Sequence, residues 1–351
     1  MKRIAFVCDT PYQLFTMLAI VLSEEKLKDY LIDLYIDTKR SNKSSMEVYF
    51  QNILEQKIFS NVYEVNSLSS SYKVLNKIEW LFPKLSLRIG SRGYIHYNEY
   101  ECIFVSGPFM LQRNIINYFK PKKICFFEDG TGSYTGRIGV NLLNKYGKIL
   151  QKITKRGPEH IYPCYSYLFC PDLYEGEYKQ IIKKISFPND KFFIFNRVFG
   201  DVSNQKIYER KKAIYLSQPV TDNDIDDDKN IIKHINKYSK LVIAKPHPQD
   251  IKKDFLDMDV DSHRGMWEMM CYESVSENTI LIGKYSTAQI TPKLVFGKEP
   301  VIIFTYYLYK EKNVNIENAI SSIEKIYINE DRIYIPKTYG ELEQILELLL
   351  C

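Results

Sequence analysis

The stretch RIAFVCDTPYQLFTMLAIVL, residues 3–22, decides the fold class. Arg3 to Val7 is a mostly apolar run that predicts a buried strand. Thr10 is a favourable helix N-cap and Pro11 suits a first helical turn, so a helix is predicted from Tyr12 to Leu22. A buried strand followed at once by a helix opens a β-α-β unit, from which parallel sheets are built.

The same alternation continues through both halves of the chain. The predicted strands are 31–36, 101–105, 123–127, 213–216, 240–244, 279–282, 301–304 and an edge strand at 325–328. The predicted helices are one beginning near residue 44 and those at 109–119, 226–238, 287–296 and 339–350. The stretch 186–209 carries Pro, Asn, Asp and Gly and marks a boundary. We therefore expect an α/β protein with two Rossmann-like, doubly wound domains, 1–200 and 201–351, that face each other across a cleft.

Length and composition agree with a folded two-domain protein. The 351 residues exceed one ordinary core, and 45% hydrophobic with 26% charged residues excludes a largely disordered chain. The apolar run Leu14 to Leu22 is shorter than the roughly 18 residues of a membrane span, and Asp9 and Pro11 interrupt a signal-like start. Seven cysteines without a C-x-x-C pair favour a reduced chain with no structural zinc. A cytoplasmic protein is expected.

The net charge of +5 is mild, and no nucleic-acid recognition module is visible, so nucleic acid is not an expected partner. The basic residues fit an anionic substrate or the anionic surface of a membrane equally well. A plain solvated surface is the alternative.

Small and polar residues follow nearly every predicted strand, where open α/β sheets bind their ligands. These strand ends include Cys8-Asp9-Thr10-Pro11-Tyr12-Gln13, Ser106-Gly107-Pro108, Glu128-Asp129-Gly130, Ser217-Gln218-Pro219-Val220-Thr221-Asp222, Lys245-Pro246-His247-Pro248 and Lys284-Tyr285-Ser286-Thr287. Among these strand-end residues, substrate binding is predicted for Thr10, Pro11, Gln13, Gly107, Gly130, Gln218, Pro219, Lys245, Pro246, Ser286 and Thr287.

The Glu128-Asp129-Gly130 turn places two carboxylates at the mouth of a buried strand. Because they repel each other, one is expected to have a raised pKa and to serve as a general base. The glycine lets backbone approach a ligand closely, although the stretch matches neither the dinucleotide fingerprint nor a P-loop. An acidic turn of purely structural use is the alternative.

His247 lies between two prolines, which hold its backbone extended and outside any helix. A histidine there can donate to a phosphate or protonate a leaving group, or it can be a structural turn residue. Ser286 and Thr287 precede a helix, so they can form an anion site or a plain N-cap. Glu268 can bind sugar hydroxyls or be an ordinary helix residue.

The order of these motifs resembles that of bacterial sialyltransferases. The acid-acid-Gly turn, the His-Pro turn and the Ser-Thr pair follow one another, and Cys8-x-Thr10-Pro11-Tyr12-Gln13 narrows the resemblance to glycosyltransferase family 52. That family includes lipooligosaccharide and capsule sialyltransferases, and the resemblance covers roughly residues 4–305. It implies a GT-B fold, CMP-sialic acid as donor, an inverting displacement, and neither a cofactor nor a metal.

The resemblance also implies roles for individual residues. His247 would contact the CMP phosphate and act as the acid, Ser286 and Thr287 would hold that phosphate, and Trp267-Glu268 would line the nucleotide pocket of the C-terminal domain. The N-terminal domain would hold the acceptor. For the base, Asp222 stands slightly ahead of Glu128 and Asp129, with Asp224 as a nearby alternative. Asp222-Asn223-Asp224 matches a D-x-D metal motif, but no metal site is predicted because no second carboxylate cluster pairs with it.

The leading hypothesis is a sialyltransferase that modifies a terminal sugar hydroxyl of a capsule or lipooligosaccharide acceptor. The expected acceptor is a glycan or a glycolipid. We also expect peripheral contact with the inner face of the cell membrane and a homodimer. One alternative is a UDP-hexose-dependent glycosyltransferase on the same fold. Another is a non-catalytic sugar-nucleotide-binding protein, in which His247→Ala changes affinity and no turnover exists to lose.

Overall fold

The computed structural model divides the chain into two compact units, Met1–Phe199 and Gly200–Cys351. The structure describes residues 1–39, 43–66, 82–93, 95, 98–107, 109–134, 140–141, 160–161, 163–176, 178–200, 208–219, 221–247, 253–262, 265–312 and 314–351. Each unit has its own sheet and its own core. No described helix is long and apolar enough to cross a membrane.

The N-terminal unit contains nine strands and five helices among the residues described. The strands are β1 Lys2–Cys8, β2 Tyr30–Ile36, β3 Asn61–Glu64, β4 Cys102–Val105, β5 Lys123–Phe127, β6 Val140–Asn141, β7 His160–Ile161, β8 Tyr165–Leu168 and β9 Ile182–Lys184. The helices are α1 Pro11–Ser23, α2 Lys43–Gln56, α3 Pro83–Gly90, α4 Met110–Phe119 and α5 Phe192–Phe199. Strands β6 and β7 form a separate antiparallel pair.

The main sheet of this unit has seven parallel strands in the order β3-β2-β1-β4-β5-β8-β9. Strand β1 is the third of the seven, next to the central strand β4, and Ala5 to Cys8 are completely buried, as expected of a parallel strand covered on both faces. The Phe6 and Phe104 rings stack across β1 and β4 with centroids 4.2 Å apart. The chain winds outward on either side of β1 and β4, so their carboxyl ends form the switch point where such sheets bind ligands.

The C-terminal unit repeats this plan. Its strands are β10 Ala213–Leu216, β11 Val242–Lys245, β12 Asp259–Val260, β13 Ile280–Gly283, β14 Val301–Phe304 and β15 Ile333–Tyr334. Its helices are α6 Ile225–Asn236, α7 Trp267–Ser274, α8 Thr287–Phe296, α9 Val314–Glu324 and α10 Tyr339–Leu350. The strand order is β12-β11-β10-β13-β14-β15, all parallel, which puts the switch point between β10 and β13.

The expectation of two separate, doubly wound α/β sheets is confirmed. The predicted edge strand at 325–328 is wrong, because the sixth strand is Ile333–Tyr334 instead. Residues 325–328 turn away from the end of α9, and the Ile328 N–H donates to the Glu299 carboxylate at 2.8 Å rather than to a neighbouring strand. The sequence also failed to predict β3, β6, β7, β8, β9 and β12, which are all two to four residues long.

Candidate substrate sites at the carboxyl ends of the strands

In the N-terminal unit, α1 begins as the sequence predicts. Thr10 is the N-cap, its Oγ1 accepts the Gln13 N–H at 3.2 Å, and Pro11 occupies the first turn. The Gln13 side chain is buried and its Oε1 accepts the Asp9 N–H at 2.7 Å. Gln13 therefore shapes the loop after β1, while the half-buried Thr10 and Pro11 border it.

Gln112, on α4, joins the two loops of this switch point. Its Oε1 accepts the backbone N–H groups of Ser106 and Gly107 at 3.0 and 2.9 Å. Its Nε2 donates to Asp9 Oδ2 at 2.6 Å and to Gln13 Oε1 at 3.3 Å. Gln112 thus contacts both Gln13 and the backbone of Gly107, two residues for which substrate binding is predicted. The sequence did not identify Gln112 as a residue of this site. The pattern that could have identified it is a glutamine among the apolar residues of α4.

Glu128 follows β5 and is completely buried. Tyr12 donates to its Oε1 at 2.6 Å, while Tyr134 and the Phe169 N–H donate to Oε2, the latter at 2.9 Å. Burial raises the pKa of Glu128 to about 7, against the lowering effect of these hydrogen bonds. The predicted direction is confirmed, but the main cause of the raised pKa is loss of water, and repulsion by Asp129 contributes less than the burial and the hydrogen bonds.

Asp129 is the more accessible carboxylate of the pair. Its side chain is half-buried, and its backbone N–H donates to Ser133 Oγ at 2.9 Å. Gly130 follows with a φ of 86°, a left-handed conformation that favours glycine. Because Glu128 has no exposed surface, a base acting directly from this turn would be Asp129.

In the C-terminal unit, Gln218 links the two strand ends of the switch point. Its Oε1 accepts the Tyr285 N–H at 3.0 Å, while Lys253 donates to the Gln218 carbonyl at 2.9 Å. The neighbouring Pro219 is exposed. Gly283 lets β13 approach β10, since a Cβ there would lie 2.9 Å from the Leu216 carbonyl oxygen.

Lys245, at the end of β11, is held by an ion pair. Its Nζ lies 2.6 Å from Asp261 Oδ2, and Tyr208 donates to the same oxygen. The two side chains of the ion pair are 12% and 3% exposed, so much of the lysine charge is neutralised within the protein. Lys245 was predicted to bind substrate, but Asp261 and Tyr208 were not foreseen because they are remote in sequence.

The following residues, Pro246 and His247, are half-buried in the loop beyond β11, and Pro248 lies outside the described residues. His247 is not part of a helix. The structure therefore places it at the carboxyl edge of the sheet, where open α/β sheets bind their ligands.

Helices α7 and α8 complete this edge. Glu268 is buried in the first turn of α7, and burial raises its pKa to about 7, against the attraction of Lys245. The Trp267 indole N–H donates to the Ala288 carbonyl at 2.7 Å, which fixes α7 against the start of α8. Trp267 thus supports the edge through its side chain.

Ser286 is the N-cap of α8 and Thr287 its first residue, as the sequence predicts. The Gln289 side chain accepts the Ser286 N–H at 3.1 Å and reaches the Gly283 and Ile303 carbonyls. The ten-residue helix places backbone N–H groups at this edge, an arrangement that favours anions.

The Asp-rich stretch divides into separate roles. The Asp222 side chain lies outside what the structure describes, although its backbone begins a short helical turn, Asp222–Asp224. Asp224 is fully buried and ion-paired to Lys284 at 2.6 Å, and it accepts the Glu311 N–H at 3.3 Å. Asp224 is therefore unsuited to be the base. Among the described residues, no group of three or more His, Cys, Asp or Glu could hold a metal ion.

No family model matches this sequence, and no curated protein matches it either. Solved structures, in contrast, are similar to this chain. The S. aureus MnaA–UDP co-structure is 12% identical, with 99% of this chain and 88% of that chain covered and a TM-score of 0.52. A putative UDP-N-acetylglucosamine 2-epimerase from Listeria monocytogenes is 8% identical, with 100% and 88% covered and a TM-score of 0.54. The spinosyn rhamnosyltransferase SpnG complexed with thymidine diphosphate is 6% identical, with 100% and 92% covered and a TM-score of 0.52.

The chain has the GT-B fold. At these identities the comparisons show the GT-B fold and nothing finer. The structures named are a transferase, an epimerase and a UDP complex, so the resemblance to family 52 gains no support from them. The GT-B fold that the resemblance implied is confirmed.

Proposed function

We propose that the chain is a glycosyltransferase that takes its sugar from a nucleotide-sugar donor bound to the C-terminal unit. The observation that carries the proposal is the carboxyl edge of the second sheet. There the N-terminus of α8 and the half-buried His247 follow strands of a single GT-B unit, and Glu268, which is 9% exposed whereas Glu128 has no exposed surface, lies in the first turn of α7. A helix N-terminus suits a phosphate, and a carboxyl suits sugar or ribose hydroxyls.

A nucleoside diphosphate sugar, such as a UDP-hexose, is the better supported donor. The similar structures include one with UDP and one with thymidine diphosphate. CMP-sialic acid remains the second candidate, favoured by the motif order that resembles family 52. The chemistry differs in the leaving group, because a nucleoside diphosphate departs in the first case and CMP, a phosphate monoester, departs in the second.

The residues of the site suit either donor. His247 would donate a proton to the departing phosphate oxygen, and the backbone N–H groups of α8 would stabilise its negative charge. Asp222, which belongs to the same unit, would accept the proton of the acceptor hydroxyl as that oxygen attacks the anomeric carbon. No metal is part of this proposal.

The test is a donor screen by mass spectrometry with a chelator present. The full chain is offered UDP-glucose, UDP-galactose, UDP-N-acetylglucosamine and CMP-sialic acid, each with and without oligosaccharide acceptors. Acceptor-dependent UDP release supports the leading proposal, and CMP release selects the second candidate. Isomerisation of UDP-N-acetylglucosamine without an acceptor leaves its mass unchanged, so it is followed by proton NMR, and it would identify an epimerase. Failure to bind any of these nucleotides in titration calorimetry excludes all three activities.

Variants then assign the acid. His247→Ala is expected to lower kcat about 100- to 10,000-fold, the usual loss of a general acid. His234→Ala is the matched control, since His234 lies on α6 and bonds to Glu343 at 3.0 Å. If His247→Ala changes only nucleotide affinity, the assignment of His247 as the acid is wrong.

A further inference from the structure

The outward side of helix α3 carries two parallel lines of residues with different chemistry. Phe82 at its N-cap, Leu85 and Ile89 are 51%, 49% and 60% exposed. Lys84 and Arg88 are exposed beside them. Spacings of three and four residues align each set along the helix, so one line is apolar and the other is positive.

The fold prevents this helix from turning its apolar line inward. Its opposite side is buried through Ser86, Leu87 and Gly90. A Cβ on Gly90 would lie 2.1 Å from the Asn66 carbonyl oxygen, and the Asn66 N–H donates to the Gly90 carbonyl at 2.9 Å. Because the backbones are in direct contact, the exposed apolar line is a fixed feature of the surface.

The positive line is available for an external partner. Within the part of the chain that the structure describes, no carboxylate forms an ion pair with Lys84 or Arg88, whereas the nearby Arg92 is paired with Glu64 at 3.2 Å and with Glu47 at 3.5 Å. The protein therefore neutralises the basic residue beyond the helix and leaves the two on it exposed.

We propose that α3 is a membrane-contact helix that lies on the surface of an anionic lipid bilayer. Lys84 and Arg88 would bind lipid phosphates, while Phe82, Leu85 and Ile89 would enter the boundary between head groups and acyl chains. A charged face next to a large apolar face is the pattern of helices that lie in the interface. The charge selects an anionic surface, because an apolar protein groove offers nothing to the two cations. The eight-residue helix makes this a reversible contact.

The test is co-sedimentation of the full chain with lipid vesicles. We expect binding to phosphatidylcholine vesicles that contain phosphatidylglycerol, and weaker binding as salt is added. Lys84→Gln with Arg88→Gln should weaken binding about 25-fold, since each basic residue near the surface contributes about a fivefold factor. Leu85→Ser with Ile89→Ser should weaken it at least about tenfold.

Ile328→Ser with Leu348→Ser is the matched control, because these residues are 90% and 72% exposed in the other unit. The proposal is overturned if the unmodified chain ignores anionic vesicles, if it binds neutral vesicles as strongly, or if the control weakens binding equally. If the chain forms a dimer and Leu85→Ser with Ile89→Ser disrupts that dimer, the membrane proposal is overturned, and α3 would instead contact a second copy of the chain. These readouts need no donor, so they stand apart from the proposed activity.

Discussion

The Tyr12 hydroxyl donates a 2.6 Å hydrogen bond to Glu128, a carboxyl group with no exposed surface. Tyr12 lies in the first turn of α1, and Glu128 directly follows β5, so the contact joins segments 116 residues apart. Tyr134 and the Phe169 N–H occupy the other carboxyl oxygen. Glu128 therefore positions the loops around it, and it reaches a substrate only through a neighbour such as Tyr12.

Tyr12→Phe is expected to destabilise the N-terminal unit by about 1–3 kcal/mol at pH 8, because a buried carboxylate oxygen loses a donor. The loss should be smaller at pH 5, where a protonated carboxyl needs fewer donors. Urea unfolding at both pH values measures the difference. Tyr165→Phe is the control, since Tyr165 is 43% exposed; equal losses in both variants would contradict the assignment.

Glu128 should make stability depend on pH. Burial raises its pKa from 4.5 to about 7, so the folded state holds the proton more tightly than the unfolded state. The resulting stabilisation is complete below pH 4.5 and is lost as the pH rises through about 7, a change on the order of 3 kcal/mol. Glu128→Gln should flatten this slope whatever its effect on the absolute stability.

Glu268→Gln is the comparison for that experiment, because burial raises the pKa of Glu268 to about 7 in the other unit. Unfolding of the two units is followed separately, by hydrogen exchange resolved along the chain. A slope that persists in the N-terminal unit of Glu128→Gln would show that another group titrates there.

Lys284→Met should destabilise the C-terminal unit by about 3–5 kcal/mol, because it leaves the buried Asp224 carboxylate without its cation. Burial raises the pKa of Asp224, but the hydrogen bond from Lys284 and backbone N–H groups outweigh it and hold the pKa below 3.8. The pair therefore stabilises the fold above that pH and loses its effect as the pH falls.

The double variant Lys284→Met with Asp224→Asn should recover most of the loss, since it removes both charges together. Urea unfolding of the single and double variants gives the coupling. A double variant as unstable as Lys284→Met alone would mean that packing of the lysine stem, rather than its charge, accounts for the loss.

Gly283→Ala should destabilise the C-terminal unit by about 1–3 kcal/mol. Its Cβ would meet the Leu216 carbonyl at 2.9 Å and the Gln289 side chain at 3.2 Å, so β13 would have to move away from β10. Gly340→Ala is the control, because its nearest neighbour would be Thr338 Oγ1 at 3.9 Å on helix α10. Thermal unfolding should show Gly340→Ala as neutral or slightly stabilising.

The sequence predicted the parts of the fold that depend on local pattern. The strands Lys123–Phe127 and Val301–Phe304 and the start of α8 at Thr287 agree with the structure because apolar periodicity and capping residues are local signals. The contacts of Glu128 with Tyr12 and of Asp224 with Lys284 could not be predicted. They join residues 116 and 60 positions apart, and only the folded chain decides which partners meet.

The same limit applies to the choice of base. Adjacent carboxylates are visible in the sequence, but it does not show that Glu128 is enclosed while Asp129 remains half-buried. Glu128 is buried because the loop after β8 packs against the end of β5, where the Phe169 N–H donates to the Glu128 carboxyl group. Asp129, the next residue, is only half-buried.

Four glutamines hold the loops at the carboxyl ends of both sheets. Each accepts backbone N–H groups with its side-chain oxygen. In the N-terminal unit, Gln13 accepts from Asp9, and Gln112 accepts from Ser106 and Gly107. In the C-terminal unit, Gln218 accepts from Tyr285, and Gln289 accepts from Ser286. An amide neither gains nor loses a proton across the physiological range. The loops at the carboxyl ends of both sheets can thus keep their conformation while Glu128 and Glu268 gain or lose a proton. Acidification can therefore change the electrostatic potential at these edges without changing the loop conformation.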